Sequence, residues 1–576
     1  MMEKKYINLR EILIGIMFML LLAFVGARAV QVQIYDGPWL SKKASNQYEK
    51  SFTNNGRRGT IYDRNFREMA VSIEVTSIAA YPMQITDANA TAEALAKALK
   101  MKAKYVLQKL KTDKKFVWIK RQSTPKETAA VKDLQLDGID FIPECNRFYP
   151  NTTLAAQALG FTGLDGEGLE GIEFFYNRYL KAEENNYTVF KDALGNGFKA
   201  EPDTVTLNRG NNLVLTIDSN IQFITEAALQ EAVNRYSARS GISIVMQPKT
   251  GAILALAHYP FFNPNAHTDF DKELWRNRII TDPFEPGSTM KIFSAAAAIE
   301  SGTTTPNTIF YCENGAYRIG KNVVHDINRH GWLSLQQIIK FSSNIGAVKV
   351  GEKIGPKRLY QTFRNFGFGE KTGIDSPGET TGSLSYYKQW SNIDTGAISF
   401  GHGISVSALQ LICAVSAIAN DGVLMKPYIV QAITDHLGKP LKTFKPQKVR
   451  KAISTQTAIR VKNMMKTVIT KGGTGVNAAL DGYSVSGKTG TSRKIDDNGT
   501  YSTKKHTASF VGFTPSENPE IAILVIIDEP QTEFYGGIVA APIFKQIAQD
   551  TLNYLGIPPQ RINNKLRVAR DSETRG

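Results

Sequence analysis

The sequence predicts an α+β fold: one antiparallel sheet with flanking helices in a C-terminal domain, carried on an elongated N-terminal pedestal with one transmembrane helix. Strand-like segments occur at both ends of the C-terminal half, with apolar helical segments between them. An uncharged apolar run lies close to the N-terminus. The 576 residues are too many for a single core and indicate two or three domains.

Composition and charge narrow the function classes. With 42% hydrophobic and 21% charged residues, the chain has the composition of a folded protein. Its net charge of +16 indicates an anionic partner or surrounding, such as nucleic acid, a membrane surface or a cell-wall polymer. No zinc-finger spacing or RNP-type motif favours nucleic acid. Cys145, Cys312 and Cys413 predict neither a zinc site nor a disulfide framework, and Cys413 is predicted to be a small core residue.

The N-terminal segment is predicted to be a membrane anchor over residues 12–34, after a short cytoplasmic segment, 1–11. The alternative is a cleaved signal peptide, because Ala27-Arg28-Ala29 resembles a cleavage site. An arginine inside that motif is unfavourable, so the uncleaved anchor is the preferred interpretation. Both interpretations predict that the residues after this segment cross the membrane.

Residues 35–210 are predicted to form the pedestal. This region contains a lysine-rich, helix-like stretch, Ala92 to Lys111, and no defensible cluster of nucleophile, base and carboxylate. Two segments rich in charged residues and glycine, 57–65 and 163–173, are predicted to build a salt-bridged turn scaffold.

The next domain is predicted over residues 211–557, followed by a basic, disordered tail, 558–576. Its first elements are a strand at Leu213 to Ile217, a helix at Asn220 to Tyr236 with Glu226 and Glu231 facing outward, and a β-hairpin turning at Pro248 to Gly251. Two strands, 510–515 and 521–530, and a closing helix, 541–555, come at the far end. We expect the strands of both ends to share one sheet.

The segment Glu285 to Glu300 is the strongest candidate for carrying a nucleophile. A Pro-Gly pair precedes an alanine-rich apolar run, which places Ser288 in the first turn of a buried helix. Lys291 follows at i+3, so its amine can reach the Ser288 hydroxyl. A lysine desolvated by apolar surroundings has a lowered pKa and can act as the base that a serine needs.

The Ser-x-x-Lys spacing alone does not separate this interpretation from an ordinary helix start with a solvated lysine. The same spacing occurs at Ser123, Ser385 and Ser502. Those copies lie in polar or turn-like surroundings, and only Ser288 opens an apolar helix. The interpretation therefore depends on what accompanies it.

Two further motifs accompany it. Ser342-Ser343-Asn344 follows a helical segment and offers a hydroxyl and a carboxamide, although it also fits a helix C-cap. A strand-like segment, Tyr483 to Ser492, presents Lys-Thr-Gly-Thr at 488–491, with a cation and hydroxyls suited to a substrate carboxylate. Lys-Thr-Gly also occurs at 249–251 and 371–373, but in a turn and a Gly-rich loop.

The third motif also matches a nucleotide-binding P-loop, from Gly482 to Thr489. A P-loop requires a buried strand before its first glycine and a helix that begins at its lysine. A polar loop precedes Gly482, and Gly490 with the polar residues after it predicts no helix. The nucleotide interpretation is therefore disfavoured.

Ser-x-x-Lys, Ser-x-Asn and Lys-Thr-Gly in this order form a strong joint signal. The chain resembles a class B penicillin-binding protein, a monofunctional peptidoglycan D,D-transpeptidase, over nearly its whole length. The segments 57–65 and 168–173 resemble the family's pedestal, and 535–544 most resembles the septal, cell-division type. The resemblance implies a penicillin-binding/serine β-lactamase-like transpeptidase domain. His402 departs from the residue expected in the family's frame and is assigned no role.

The resemblance also implies roles for the site residues. Ser288 attacks the bond between two terminal D-alanines, Lys291 takes its proton, and Ser342 relays it to the departing amine. Backbone N–H groups of Ser288 and Thr491 form the oxyanion hole. The substrate-binding residues implied are Asn344, Lys488, Thr489, Gly490 and Thr491, with no metal and no cofactor.

The implied partners are peptidoglycan stem peptides, the lipid-linked precursor polymer, β-lactams, the membrane, a membrane glycosyltransferase and other division proteins, without nucleic acid. The implied location is the inner membrane, single-pass, with the catalytic domain on the periplasmic side. Two alternatives stay open: a serine β-lactamase or β-lactam sensor, and a non-catalytic division scaffold. A β-lactamase needs a deacylating glutamate, and the sequence has no E-x-x-L-N between the second and third motifs.

Overall fold

The computed structural model describes residues 2–54, 56–182, 185–191, 197–198, 209–496 and 499–559. The predicted tail therefore lies outside the described residues from position 560 onward. The chain divides into two units, one of residues 1–56 and 183–208, the other of 57–182 and 209–576. The limits given above for the anchor, pedestal and C-terminal domain remain predictions.

The elements of the first 198 residues are mixed helices and strands. In chain order they are α1 (Met2–Val30), α2 (Gly37–Tyr48), β1 (Glu49–Asn54), β2 (Ile61–Tyr62), β3 (Glu68–Ala80), α3 (Ala88–Leu99), α4 (Ala103–Leu110), β4 (Val117–Ser123), α5 (Pro125–Lys132), β5 (Ile139–Phe148), α6 (Ala156–Leu159), α7 (Gly171–Phe175), α8 (Asn177–Leu180), β6 (Asn185–Lys191) and β7 (Gly197–Phe198).

The remaining elements begin after residue 209. They are β8 (Asn212–Leu215), α9 (Ser219–Arg235), β9 (Ser240–Met246), β10 (Ile253–Tyr259), α10 (Arg278–Thr281), β11 (Pro283–Phe284), α11 (Lys291–Glu300), β12 (Ile309–Tyr311), β13 (Ala316–Ile319), β14 (Asn322–His325), β15 (Trp332–Ser334), α12 (Leu335–Phe341), α13 (Asn344–Ile354), α14 (Pro356–Asn365), α15 (Asn392–Ser399), β16 (Val406–Ser407), α16 (Ala408–Ala419), β17 (Val423–Met425), β18 (Val430–Thr434), β19 (Pro440–Thr443), β20 (Lys448–Lys451), α17 (Thr455–Thr467), β21 (Ser486–Ile495), β22 (Tyr501–Thr514), β23 (Ile521–Asp528), α18 (Gly536–Val539) and α19 (Ala541–Tyr554).

The N-terminal helix is apolar. The segment Leu9–Tyr35, formed by α1 and a following π-helical turn, is long and apolar enough to cross a membrane. Its large hydrophobic side chains are exposed. Exposing this much apolar surface to water is energetically unfavourable, so the segment is suited to the interior of a lipid bilayer.

The sheet that carries the candidate site is antiparallel and has the strand order β10-β9-β23-β22-β21. The hairpin β9–β10 turns at the predicted position, and β23, the last strand among the described residues, pairs with β9. Helices α9 and α19 pack together on this sheet, and α16 and α17 form a second helical pair on it. The α+β class and the sharing of one sheet by both ends of the domain are confirmed.

A second sheet has the order β19-β18-β8-β2-β3-β4, with β5 also paired to β3. The strand predicted at Leu213 to Ile217 lies here as β8, parallel to β2 and antiparallel to β18, and takes no part in the site sheet. All four residues of β8 are buried, because it has neighbours on both sides. This sheet thus joins strands from both sides of the predicted boundary at residue 210.

A buried ion cluster supports the turns between these strands. Glu173 is fully buried and accepts hydrogen bonds from Arg58 Nε and Arg147 Nε, each at 2.6 Å. Arg58 also donates to the Glu173 carbonyl, and Arg147 to the Gly59 carbonyl, both at 2.7 Å. The predicted salt-bridged scaffold is confirmed, and it lies in the core rather than on the surface.

Two local predictions are wrong. The helix-like stretch Ala92 to Lys111 is two helices, α3 and α4, because Lys100 adopts a left-handed conformation (φ 54°) that ends α3. Glu226, predicted to face outward from α9, is buried. Its Oε1 accepts from Ala155 N at 2.8 Å and Gln222 Nε2 at 2.7 Å, and burial raises its pKa to about 7. The helical periodicity of α9 predicts that the face carrying Glu226 is solvent-exposed, but the segment around Ala155 packs against that face and buries it.

Candidate active site

Ser288 lies in a single 3₁₀ turn, Gly287–Met290, that runs directly into α11. The predicted first helical turn is therefore tighter than an α-turn. Gly287 has φ +55°, and a Cβ there would lie 3.0 Å from the Thr491 carbonyl oxygen. A glycine is required at this position by both its conformation and its neighbour. The turn thus brings Ser288 close to strand β21.

Lys291 occupies the centre of the site. Its side chain is buried, and its Nζ lies 2.9 Å from Ser288 Oγ, 3.1 Å from Ser342 Oγ and 2.7 Å from Asn344 Oδ1. Burial lowers the pKa of this amine to about 7, against an opposing influence of Asp326. Lys291 can therefore accept a proton from Ser288 near neutral pH.

Ser342 bridges two lysines. It ends α12 in the left-handed conformation, φ 61°, while Ser343 caps α13 by accepting from Gly346 N at 2.9 Å. This places Ser342 Oγ 2.9 Å from Lys488 Nζ, in addition to its contact with Lys291. Ser342 is therefore both the C-cap of α12 and a site residue, because its left-handed conformation directs its hydroxyl toward Lys291 and Lys488.

Asp326 lies beside the start of α13 and accepts hydrogen bonds there, and no sequence motif pointed to it. Its carboxylate accepts from Asn344 N at 2.5 Å, Ile345 N at 3.0 Å and Ser343 Oγ at 2.6 Å. It thereby satisfies the first N–H groups of α13 from a loop distant in sequence. No local pattern marks it, because its partners are 17 to 19 residues away.

Asn344 is already engaged at both ends of its amide. Its Oδ1 accepts from Lys291, and its Nδ2 donates to the His325 carbonyl at 3.0 Å. The predicted contact with a substrate amide would require Nδ2 to exchange that partner. This role remains a prediction.

The third motif lies on β21, an edge strand paired only with β22 among the described strands. Lys488 is fully buried and also donates to the Thr489 carbonyl at 3.0 Å. Burial, with a smaller effect of Lys291, holds the pKa of Lys488 well below its usual value. Because Lys488 is in a strand, the P-loop alternative is wrong.

The other residues of this motif line or shape the cleft. Thr489 Oγ1 lies 2.9 Å from Thr474 Oγ1, and Thr491 Oγ1 accepts from Gly536 N at 3.1 Å. A Cβ at Gly490 would lie 2.3 Å from Ser509 Oγ and 2.9 Å from a methyl group of Thr289. Gly490 therefore permits the close approach of β21 to the Ser288 turn.

The alternative copies of the motifs lie elsewhere. Ser123 Oγ donates to the Thr76 carbonyl at the end of β4, and Ser385 is exposed. Ser502 accepts from Lys505 N in β22, and Lys249 bonds Asn518 and Glu520 at the surface. None of these four residues lines the cleft that contains Ser288.

The three motifs meet in one open cleft of about 300 Å³. Its lining includes Ser288, Asp326, Ile327, Asn328, His330, Phe341, Ser342, Ser343, Asn344, Phe400, His402, Thr474, Thr489, Thr491, Tyr535, Gly536 and Gly537. The described residues contain no group of three or more His, Cys, Asp or Glu side chains arranged to hold a metal. His402 lies in this cleft, although the sequence assigned it no role.

The rate of reaction at Ser288 is expected to rise with pH through about 7 and to level off above it. The pKa of Lys291 is lowered to about 7, so the neutral, proton-accepting amine predominates only above that pH. The check is the rate constant for acylation by a labelled penicillin, measured between pH 5 and 9. A rate that falls as pH rises through 7 would contradict the assignment of Lys291 as base.

Two family models match the chain. The penicillin binding protein transpeptidase domain matches residues 241–549, and the penicillin-binding protein dimerisation domain matches residues 53–215. The first match contains the three motifs described above.

Several known proteins are similar to most of the chain. The probable peptidoglycan D,D-transpeptidase PbpC of Pseudomonas aeruginosa is 35% identical over 98% of both chains. The peptidoglycan D,D-transpeptidase FtsI of Escherichia coli K12 is 31% identical over 97% of this chain and 94% of its own. Among solved structures, penicillin binding protein 3 of Mycobacterium tuberculosis complexed with aztreonam matches with a TM-score of 0.69 and 27% identity, covering 89% of this chain and all of the other.

Proposed function

Because the chain belongs to the class B penicillin-binding proteins, we propose that it is a serine-type peptidoglycan D,D-transpeptidase of septal cell-wall synthesis. The observation that carries the proposal is the arrangement around Ser288. A buried lysine with a lowered pKa lies 2.9 Å from its hydroxyl, and a second serine links that lysine to Lys488. This is the arrangement that an activated serine nucleophile requires.

In the proposed acylation step, Ser288 Oγ attacks the carbonyl carbon between the two terminal D-alanines of a stem peptide. Lys291 takes the hydroxyl proton as the new C–O bond forms. Ser342 then relays a proton to the departing amine as the C–N bond breaks, since its Oγ lies within 3.1 Å of Lys291 Nζ. The products are an acyl-enzyme and free D-alanine.

The developing oxyanion is assigned to the backbone N–H groups of Ser288 and Thr491. The close approach of Gly287 to the Thr491 carbonyl supports this, because it brings the two segments together. A donor of this kind is often worth about 3 kcal/mol in the transition state.

The donor peptide is proposed to lie along β21, whose outer edge pairs with no other described strand and can offer backbone hydrogen bonds to an extended chain. Thr489 and Thr491 would hold the terminal carboxylate. Burial lowers the pKa of Lys488, and the negative charge of a bound carboxylate would favour its charged form. Asn344 would bind the donor amide after exchanging its contact with His325.

An amine from a neighbouring stem peptide then attacks the acyl-enzyme, which forms the cross-link and frees Ser288. β-Lactams are proposed to acylate the same serine in place of the donor peptide. A lipid-linked precursor polymer would supply the donor strands.

The apolar segment Leu9–Tyr35 anchors the protein in the inner membrane as a single span, with the catalytic domain on the periplasmic side. We assign residues 1–11 to a cytoplasmic segment, 12–34 to the anchor, 35–210 to the pedestal, 211–557 to the transpeptidase domain and 558–576 to a tail. A membrane glycosyltransferase and other division proteins are the proposed partners, because cross-linking requires newly polymerised strands.

The test compares the reaction of the full-length protein with labelled penicillin over time. The proposal predicts a covalent adduct that persists for many minutes and is absent from Ser288→Ala. Rapid release of hydrolysed penicillin would instead indicate a β-lactamase. A folded protein that takes up no label would indicate a scaffold. The serines of the other Ser-x-x-Lys copies provide matched controls, since Ser385→Ala should label normally.

A further inference from the structure

His402 is held beside the nucleophile by backbone contact. Gly401, the preceding residue, accepts a hydrogen bond from Gly287 N at 3.2 Å. Its φ is +91°, and a Cβ there would lie 2.0 Å from the Gly287 carbonyl oxygen, so a side chain at 401 does not fit. The segment carrying His402 therefore lies directly against the residue that precedes Ser288, and both side chains line the same cleft.

The imidazole packs among neighbours from three segments. Its ring centre lies 5.1 Å from that of Phe400 and 5.4 Å from that of Tyr501. Glu285 Oε2 lies 3.8 Å from its Nδ1. Glu285 in turn accepts from Gly403 N at 3.0 Å and from Tyr501 Oη at 3.1 Å. About 30% of the His402 side chain remains exposed, which leaves it accessible from the cleft.

The ring is neutral at physiological pH. Burial, followed by the positive charges of Lys291 and Arg493, lowers the pKa of His402 to about 4. A neutral imidazole carries one N–H and one lone pair. Nδ1 lies 3.8 Å from Glu285 Oε2, and we assign the N–H to this nitrogen, which leaves the lone pair of Nε2 as the hydrogen-bond acceptor.

We propose that His402 binds the attacking amine of the acceptor strand, with Nε2 accepting a hydrogen bond from the amine N–H. The inference rests on the proposed transpeptidase function and assigns a residue to its second step. A terminal carboxylate is suited to Lys488 and the two threonines of β21. A neutral acceptor next to a carboxyl group suits an amine, whose own lone pair then stays free for the acyl carbon.

The test separates the two chemical steps. An acyl-D-alanyl thioester serves as donor and D-alanine as the amine, and the products of aminolysis and hydrolysis are counted. His402→Leu is expected to be acylated by labelled penicillin within about twofold of wild type. Its ratio of aminolysis to hydrolysis should fall about tenfold or more. His402→Gln, whose amide oxygen is again an acceptor, should recover much of that ratio.

The matched control is His436→Leu, in the exposed turn between β18 and β19, which should leave the ratio unchanged. An unchanged ratio in His402→Leu would overturn the assignment. Loss of penicillin labelling in His402→Leu would also overturn it, because a residue of the second step is not needed for the first. Failure of the proposed function itself would appear differently, as absence of labelling in the wild-type protein.

Discussion

Replacing Lys291 with methionine is expected to lower the rate constant for acylation by penicillin about 10³-fold. Methionine fills a similar volume in this buried position but cannot accept the proton of Ser288 Oγ. In the wild-type protein, the Lys291 amine lies 2.9 Å from that oxygen and its pKa is lowered to about 7, which makes it the nearest available base. The measurement is the second-order rate constant for formation of the labelled adduct.

Lys462→Met is the matched control, because Lys462 is also a buried lysine. Lys462 lies on α17, outside the cleft, and its Nζ donates to the Ala419 carbonyl at 3.2 Å. This variant should be acylated at nearly the wild-type rate. Near-normal acylation of Lys291→Met, or an equal loss in both variants, would remove the reason to assign Lys291 as the base.

Replacing Glu173 with alanine is expected to lower the free energy of unfolding by about 3–5 kcal/mol. The carboxylate is 0% exposed and pairs with two arginines that are each 7% exposed. Burial by itself raises its pKa, but Arg147 and Arg58 outweigh burial, so the pKa lies below its usual value. Without the carboxylate, two guanidinium groups remain buried with no counter-charge.

The measurement is the apparent melting temperature at neutral pH. Neutral pH is the right condition because a carboxyl group with a lowered pKa stabilises the fold above its unfolded pKa and loses that effect as pH falls through the folded value. The control is Glu74→Ala, which removes the exposed partner of Arg57 and should change stability by less than about 0.5 kcal/mol. Equal, small effects of both variants would mean that the cluster does not support the fold.

The sequence indicated the motifs of the site because each depends on short spacing. Ser288 and Lys291 meet within one turn, and the threonines of β21 follow from strand alternation. The family prediction is confirmed by the comparisons. The order of the motifs alone did not indicate that a left-handed Ser342 would place its hydroxyl between two lysines.

The remaining features depend on contacts that no local pattern encodes. Asp326 reaches α13 from a separate loop, and Glu285 meets Tyr501 across 216 residues of sequence. Glu226 is buried because a segment 71 residues away donates to it. His402 reaches the cleft because the preceding residue, Gly401, accepts a hydrogen bond from Gly287 N, which is distant in sequence. Such long-range contacts require the assembled fold.

Three segments that are distant in sequence converge on Ser288 and activate it. The most direct test is intact mass spectrometry of the penicillin-treated protein, followed by peptide mapping of the adduct. We expect a single added penicillin, located on the peptide that contains Ser288. An adduct on a peptide containing Ser123, Ser385 or Ser502, or no adduct on a folded protein, would contradict it.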